Sequence, residues 1–384
     1  METFFQMPEL VLEEILLWLP PKCLFRFKCV CKSWNALIND PSFVNKHLLI
    51  NLNSCKSSTS LFLRWNLQES KQVLSLVSFR NKEDDNGDSI SCVVEDLNLS
   101  LIPQREDVEY CLDFVGFDHC NGIVCLFNRF SFHEPVVLCN PAIEEFKVLP
   151  KPLLLEDYQT IGYGFGYDSC DNDYKVVRIF RYIYEGFGAT ESRAQVYTLG
   201  TDSWREIKMD VKAYYFRSHQ GVYCNCKHVY YWWNEEFKGS KDRLISFDMS
   251  KEKFYSILLP DSIQEADRDE DRLVMWNELL ALFLYSENSL FSQSIEMWVM
   301  VDNLDGSSST WNKHLTIGPL DYIRSPLTFW KNDELFMNTR DGEIVSYNLC
   351  TQKLRKLSIP GDVLLGWTCV DVYVKSLVSV RGGK

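Results

Sequence analysis

The segment Val196-Tyr197-Thr198-Leu199-Gly200-Thr201-Asp202-Ser203-Trp204 decides the fold. It holds an apolar strand, a polar turn, and a second strand opened by an aromatic residue. β-branched and aromatic side chains suit a pleated surface, and Gly, Asp and Ser suit a turn. The same grammar recurs at Leu138 to Phe146, Ile245 to Phe254, Val345 to Leu354, and, with a longer turn, Trp298 to Trp311. The anchors Phe146, Trp204, Phe254, Trp311 and Leu354 lie 58, 50, 57 and 43 residues apart. A period near 50 with strand-only content predicts kelch-like propeller blades of about four strands each. Residues 61–115 supply one more blade, closed by the C-terminal strand Thr368 to Val380. Closure removes exposed sheet edges. A two-sheet sandwich is the alternative, and it needs no such period.

The grammar differs upstream of the repeats. Glu9 to Leu19 contains no Gly or Pro, and Pro20-Pro21 stops it. Leu24, Phe27, Cys31, Trp34 and Ile38 then follow at helical spacing. Asp40-Pro41 punctuates, and a short third helix starts at Ser42, its expected cap. The expected organisation is an α+β multidomain chain. Residues 1–48 form a three-helix domain, 49–60 a connector, and 61–384 an all-β propeller. The polar runs Asp84 to Asp88 and Glu265 to Arg272 are expected as loops.

The 384 residues carry 40 Lys+Arg against 53 Asp+Glu, a net charge of −13. Residues 1–50 hold five of each sign, so the whole imbalance lies on the β region. Such a chain is a poor nucleic-acid binder and suits a basic protein partner. No apolar run approaches the roughly 20 residues of a membrane span. The first residues lack a signal peptide's basic start, and Glu9, Glu13 and Glu14 interrupt the apolar stretch. A cytosolic or nuclear location is expected. The 14 cysteines then read as mostly buried thiols.

Metal and catalytic motifs are not evident. The close cysteine pairs, Cys29/Cys31 and Cys224/Cys226, are both C-x-C with no matching second pair, so no zinc site is expected. The six histidines show no HExxH spacing. Gly162-Tyr-Gly164-Phe-Gly166 precedes a strand rather than a helix, so it reads as strand glycines, not a dinucleotide loop. Tyr230-Tyr231-Trp232-Trp233 cannot all face one side of a strand. Packing on neighbouring blades is the expected use, with exposure of two rings the alternative. Ala213 to Arg217, if looped, is a contact candidate.

Two sets of residues carry a family resemblance. The stretch Met7-Pro8-Glu9-Leu10 … Ile15-Leu16 … Leu19-Pro20 … Leu24 … Val30-Cys31-Lys32-Ser33-Trp34 … Leu37-Ile38 resembles an F-box. Met7 stands where Leu is usual and Cys23 where Ser is common. Downstream, Cys120-Asn-Gly-Ile-Val124, Asn140-Pro-Ala142, Gly164-Phe-Gly-Tyr-Asp168, Tyr174-Lys-Val-Val-Arg178, Ser203-Trp-Arg-Glu-Ile207, Ser246-Phe-Asp-Met249, Met297-Trp-Val-Met300 and Pro326 to Lys331 resemble an F-box-associated domain. In this order they most resemble the S-locus F-box proteins of plant pollen.

The resemblance implies a non-catalytic substrate receptor of a Skp–cullin–F-box (SCF) ubiquitin ligase, without cofactor or metal. The partners implied are a Skp adaptor and, through it, cullin and RING subunits. It implies a basic protein substrate, an S-RNase of self-incompatibility, bound in non-self form for ubiquitination and degradation. The implied Skp-binding residues are Pro8, Leu10, Ile15, Leu19, Pro20, Leu24, Val30 and Trp34. On helical pattern alone, Ile15, Leu16, Leu19 and Trp34 read more readily as internal core; the resemblance reverses that reading for Pro8, Leu10, Leu19 and Pro20. Trp34 and Cys31 stay open between the two roles. No substrate-binding residue is singled out. Alternatives are an adaptor of the same architecture for an unrelated plant regulatory protein, a module that binds Skp without ligase assembly, and a propeller enzyme.

Overall fold

A computed structural model describes residues 9–54, 60–66, 72–83, 89–103, 114, 116–128, 135–152, 158–182, 192–213, 215–216, 221–235, 243–264, 270–285, 293–302, 309–331, 333–358 and 369–382. Four helices open the chain: α1 (Glu9–Leu17), α2 (Pro21–Phe27), α3 (Lys32–Asn39) and α4 (Pro41–Ser54). The expected second helix is thus two. Lys28 N still reaches the Leu24 carbonyl, but Cys29 and Val30 close tighter bonds to Arg26 and Phe27. Cys31 is then extended, at φ −160°, and caps α3. The third expected helix starts at Pro41. Its cap is Asp40, not Ser42, since Asp40 Oδ1 accepts from the amides of Ser42 (2.8 Å) and Phe43 (3.3 Å). Pro41 fits the first helical position, where its missing N–H costs nothing. This helix runs to Ser54 and takes up half of the expected connector.

The β region forms six blades among the described residues. The first contains β1 (Ser60–Asn66), β2 (Gln72–Glu83) and β3 (Ser89–Asp96). The second has β4 (Gly116–Cys120), β5 (Ile123–Phe127), β6 (Val137–Asn140) and β7 (Glu145–Val148). The third has β8 (Tyr158–Asp168), β9 (Asp173–Tyr182), β10 (Ser192–Thr198) and β11 (Ser203–Ile207). The fourth has β12 (Tyr215–Phe216), β13 (Val222–Cys224), β14 (Val229–Glu235), β15 (Arg243–Asp248) and β16 (Lys253–Leu258). The fifth has β17 (Glu270–Trp276), β18 (Leu279–Tyr285), β19 (Gln293–Asp302) and β20 (Ser309–Leu320). The sixth has β21 (Ile323–Lys331), β22 (Glu334–Thr339), β23 (Ile344–Asn348) and β24 (Leu354–Ser358). β25 (Cys369–Tyr373) returns to pair antiparallel with β1, Leu63 opposite Val370, as the innermost strand of the first blade. β24 also pairs parallel with β3, joining the last blade to the first at their outer edges. β25, β4, β8, β13, β17 and β21 touch in a ring around the axis. The polar segment expected as a loop ends in strand, since Glu270-Asp271-Arg272 opens β17. Asp84 to Asp88 and residues 265–269 lie outside the described residues.

The repeat is the outer hairpin of each blade. Phe146, Trp204, Phe254, Trp311 and Leu354 each lie in the outermost strand. The turns before four of them use one device. Glu144, Asp202, Glu252 and Gln352, each two residues before its anchor, adopt positive φ between 49° and 56°. Asn140, Asp248 and Asn348 end the preceding strands by accepting backbone amides two residues on, at 3.0 Å each. Four anchors are buried, whereas Leu354 is exposed.

The core lies between blades, so most strands are covered on both faces and read as apolar runs. Tyr230 and Trp232 face the third blade, while Tyr231 and Trp233 face the fifth. All four are buried, and the neighbour-packing reading holds. The glycines of β8 make room for this. A Cβ on Gly164 would lie 2.5 Å from the Trp232 ring. Phe216 is also core, stacked on Trp232 at 5.9 Å, so the proposed contact loop is a strand there. Lys175 crosses to the next blade, donating to Asp168, Glu252 (2.7 Å) and the Met249 carbonyl (3.0 Å). Burial pushes the Asp168 carboxyl upward, but Lys175, Ser250 and two backbone amides outweigh it and hold it below its usual range.

Candidate functional site

α1 has two faces of different fate. Leu16 and Leu17 turn inward with Leu24, Ile38 and Phe43 into one cluster. Leu10, Val11 and Ile15, together with Trp18 directly after the helix end, turn outward. Leu10 is 77% exposed, Trp18 70% and Ile15 47%. Phe25 and Val30 (59%) add to the exposed apolar surface of the helical domain. Of the 14 large exposed hydrophobics among the described residues, six fall between Leu10 and Val30. Leaving such side chains in water forgoes about 1.5–3 kcal/mol each, which a partner recovers by covering them.

The implied docking residues sort by this division. Leu10, Ile15, Pro20 and Val30 are exposed, and Leu19 and Trp34 are half-buried. Trp34 packs edge-on against Phe27 at 5.5 Å, so part of it belongs to the core. Leu24 has no exposed surface and is unavailable to a partner, because α2 buries it beneath α1 and α3. Pro8 lies outside the described residues. Trp18 was missed, although its spacing of 3 and 7 from Ile15 and Val11 places it on their face. Behind Leu19, burial pushes the His47 imidazole below its usual range. The neutral ring donates from Nε2 to the Leu19 carbonyl (3.0 Å) and accepts from Asn51 at Nδ1 (3.1 Å).

The helical domain is seated on the propeller. Ile143, in the turn after β6, and Leu377, in the tail after β25, complete its apolar cluster. Two quoted motifs hold that tail. Asn140 donates from Nδ2 to the carbonyls of Ser376 (3.1 Å) and Val378 (2.8 Å). Ser379 donates to Glu145 at 2.7 Å. Gly122, at φ +82°, leaves room for the tail, since a Cβ there would lie 2.3 Å from Ser376 Oγ. These motifs are structural latches, which explains their chemistry without a ligand.

A cavity of about 460 Å³ lies inside the ring of inner strands. Phe117, Tyr223, Val274, Leu327, Phe329, Val370 and Val372 supply much of its apolar wall, with Leu52 of α4 beside them. Its polar groups include Asp118, His119, Arg272, Glu278, Thr328 and Asp371. His119 Nε2 lies 3.2 Å from Asp371 Oδ2, and Thr328 donates to Asp371 Oδ1 at 3.0 Å. Burial alone would weaken this pair, yet their mutual attraction raises the histidine and lowers the aspartate. Asp118 is different. Burial pushes its carboxyl up to about 8, against the opposing bond from Tyr230. No grouping of three or more His, Cys, Asp or Glu among the described residues is arranged to hold a metal. Nor is any described helix long and apolar enough to cross a membrane.

Comparison with known proteins agrees with this arrangement. The F-box associated beta propeller domain matches residues 63–358, and the F-box domain matches residues 4–46. An F-box/kelch-repeat protein of Arabidopsis thaliana is 28% identical, over 97% of this chain and 95% of its own. Another from the same plant is 26% identical, over 96% and 93%. The solved β-propeller domain of the Trilobed protease from Pyrococcus furiosus covers 64% of this chain and 72% of its own at 11% identity, with a TM-score of 0.36. F-box proteins with such a domain generally serve as substrate receptors of SCF ligases, joined to them through Skp, rather than as enzymes. With the propeller family matched over most of its length and an F-box domain at its N-terminus, this chain belongs to the F-box-associated beta propeller family.

Proposed function

We propose that this chain is the substrate-recognition subunit of an SCF ubiquitin ligase. The observation that carries the reading is the exposed apolar face at Leu10, Val11, Ile15, Trp18 and Val30, on a domain that matches the F-box. In this reading a Skp adaptor covers that face, with Pro20 and the exposed edges of Leu19 and Trp34 at its rim. Leu24 supports the face from beneath. The propeller holds the protein substrate, and the ligase gains rate by raising the concentration of substrate lysines near the conjugating enzyme. The latched tail beneath the F-box supports a fixed geometry for that transfer.

The substrate proposed is an S-RNase in its non-self form. The acidity of the β region supports a basic partner, and the order of the quoted motifs supports the S-locus type. A second reading keeps the ligase role but replaces the substrate with another plant regulatory protein. It is favoured by relatives in Arabidopsis that span nearly the whole chain. The test is to purify the chain with Skp and measure binding and ubiquitination of a panel of S-RNase forms at low and high salt. The expected result is binding to a subset, weakened as salt screens the charge, and ubiquitin transfer with cullin and RING present. Binding to none, with Skp held normally, overturns the S-RNase reading and leaves the second. Failure to recruit cullin through Skp overturns both.

A further inference from the structure

Neither the blade repeat nor the docking face uses the C-x-C pair Cys224/Cys226. Cys224 ends β13, and Cys226 sits in the turn that leads into β14. The turn folds the chain back, and the two free thiols lie with their sulfurs 3.3 Å apart. A disulfide needs about 2.05 Å, so the sulfurs have roughly 1.3 Å left to close. In the other C-x-C pair, Cys31 Sγ lies instead 3.1 Å from Ser33 Oγ.

The two thiols differ in access. Cys226 is exposed, whereas Cys224 is 1% exposed. Both donate to one carbonyl, that of Glu278 in the β17–β18 turn of the fifth blade. Cys226 does so at 3.4 Å and Cys224 at 3.7 Å. The shared acceptor holds both sulfurs at one spot. Asn225, Cys226 and Glu278 line the axial cavity, which gives a small reagent a way to Cys226.

We propose that Cys224 and Cys226 form a reversible thiol–disulfide site that reacts with small disulfides of the glutathione type. The exposed Cys226 thiolate attacks one sulfur of the reagent, whose S–S bond breaks and releases one thiolate. Cys224, its proton given to solvent, then attacks the Cys226 sulfur and expels the second thiolate. The protein dithiol loses two electrons, and the reagent is reduced to two thiols that take up both protons. Burial and the neighbouring Cys226 thiol push the Cys224 thiol up to about 12, so the first attack falls to Cys226. Capping Cys226 removes the second of these causes, while Lys227, next in the turn, favours the Cys224 thiolate. The disulfide leaves no S–H on either sulfur, so the Glu278 carbonyl loses both donors from the fourth blade. This inference is independent of the ligase reading.

The experiment equilibrates the full chain with glutathione and glutathione disulfide at set ratios, quenches in acid and alkylates the remaining thiols. Trypsin then releases residues 218–227, a peptide that carries Cys224 and Cys226 and no other cysteine. Mass spectrometry separates its dithiol, glutathionylated and disulfide forms. The expected product is the internal disulfide, reversed by dithiothreitol. At fixed glutathione it should form at a glutathione disulfide concentration roughly 10-fold lower than the free peptide requires, because the fold holds the sulfurs together. Cys224→Ser should stop the reaction at a Cys226–glutathione adduct, and Cys226→Ser should leave Cys224 unmodified. No disulfide in the folded chain at excess glutathione disulfide overturns the proposal, as does oxidation no easier than in the free peptide. Glutathione retained on Cys226 of the unaltered chain, without ring closure, overturns it as well. The comparison of unaltered chain with free peptide decides the matter even where a variant folds poorly.

Discussion

At the scale of single residues, neighbours distant in sequence decide what a side chain does. Gly162, Gly164 and Gly166 were legible as strand glycines. Their reason was not, because the rings that need the space, Phe216, Trp232 and Tyr223, arrive 54 to 68 positions later. Asp118 was equally silent, since nothing in Gly-Phe-Asp-His-Cys says that Tyr230 and Asp371 will close over it. Its burial makes a pH prediction. The folded value near 8 lies above the ordinary 3.8, so folding takes up a proton between those values. Its contribution to stability is complete below about pH 4 and is lost as pH rises through 8. Thermal unfolding of Asp118→Asn across pH 5 to 9 should therefore decline less steeply than that of the unaltered chain. Parallel curves would show that Asp118 ionises freely in the folded state.

Elements were read from periodicity, and periodicity failed where geometry breaks without a sequence sign. Leu24, Phe27, Cys31, Trp34 and Ile38 keep helical spacing across a real interruption, because no Gly or Pro marks residues 28–31. The outer hairpins were legible because turn chemistry and an aromatic anchor repeat together. The tail after β25 was only partly legible. Its strand was expected to reach Val380 but ends at Tyr373, and its role beneath the F-box depends on Asn140 meeting the Ser376 and Val378 carbonyls across 236 and 238 residues. Leu377 is buried at the seat of the helical domain. Leu377→Asp places a charge there, at a cost that the seat cannot offset. Hydrogen exchange should quicken in α2, α3 and α4 while the amides of β17 to β20 keep their protection. Exchange quickened equally throughout would show that the seat and the propeller unfold as one unit.

At the scale of the whole molecule, the division of labour follows from which surfaces the fold leaves uncovered. Six blades bury their apolar faces against each other, and the first is completed by the last strand. This leaves an acidic β body and a neutral helical domain with an apolar outer face. Sequence alone separated these two regions by composition and charge. It could not choose between core and interface for the apolar residues of α1, since both give one helical stripe. Placing the helices on the propeller made that choice, sending Leu24 inward and Ile15 and Trp18 outward. Leu19 is a poor probe of the interface because it also packs against the core. The most direct measurement is therefore the affinity of the full chain for a Skp adaptor, with and without Ile15→Asp, alongside thermal unfolding. The account predicts tight binding by the unaltered chain, a loss of about 2–4 kcal/mol or more for the variant, and an unchanged unfolding temperature. Equal affinity for both chains would contradict the proposed docking face.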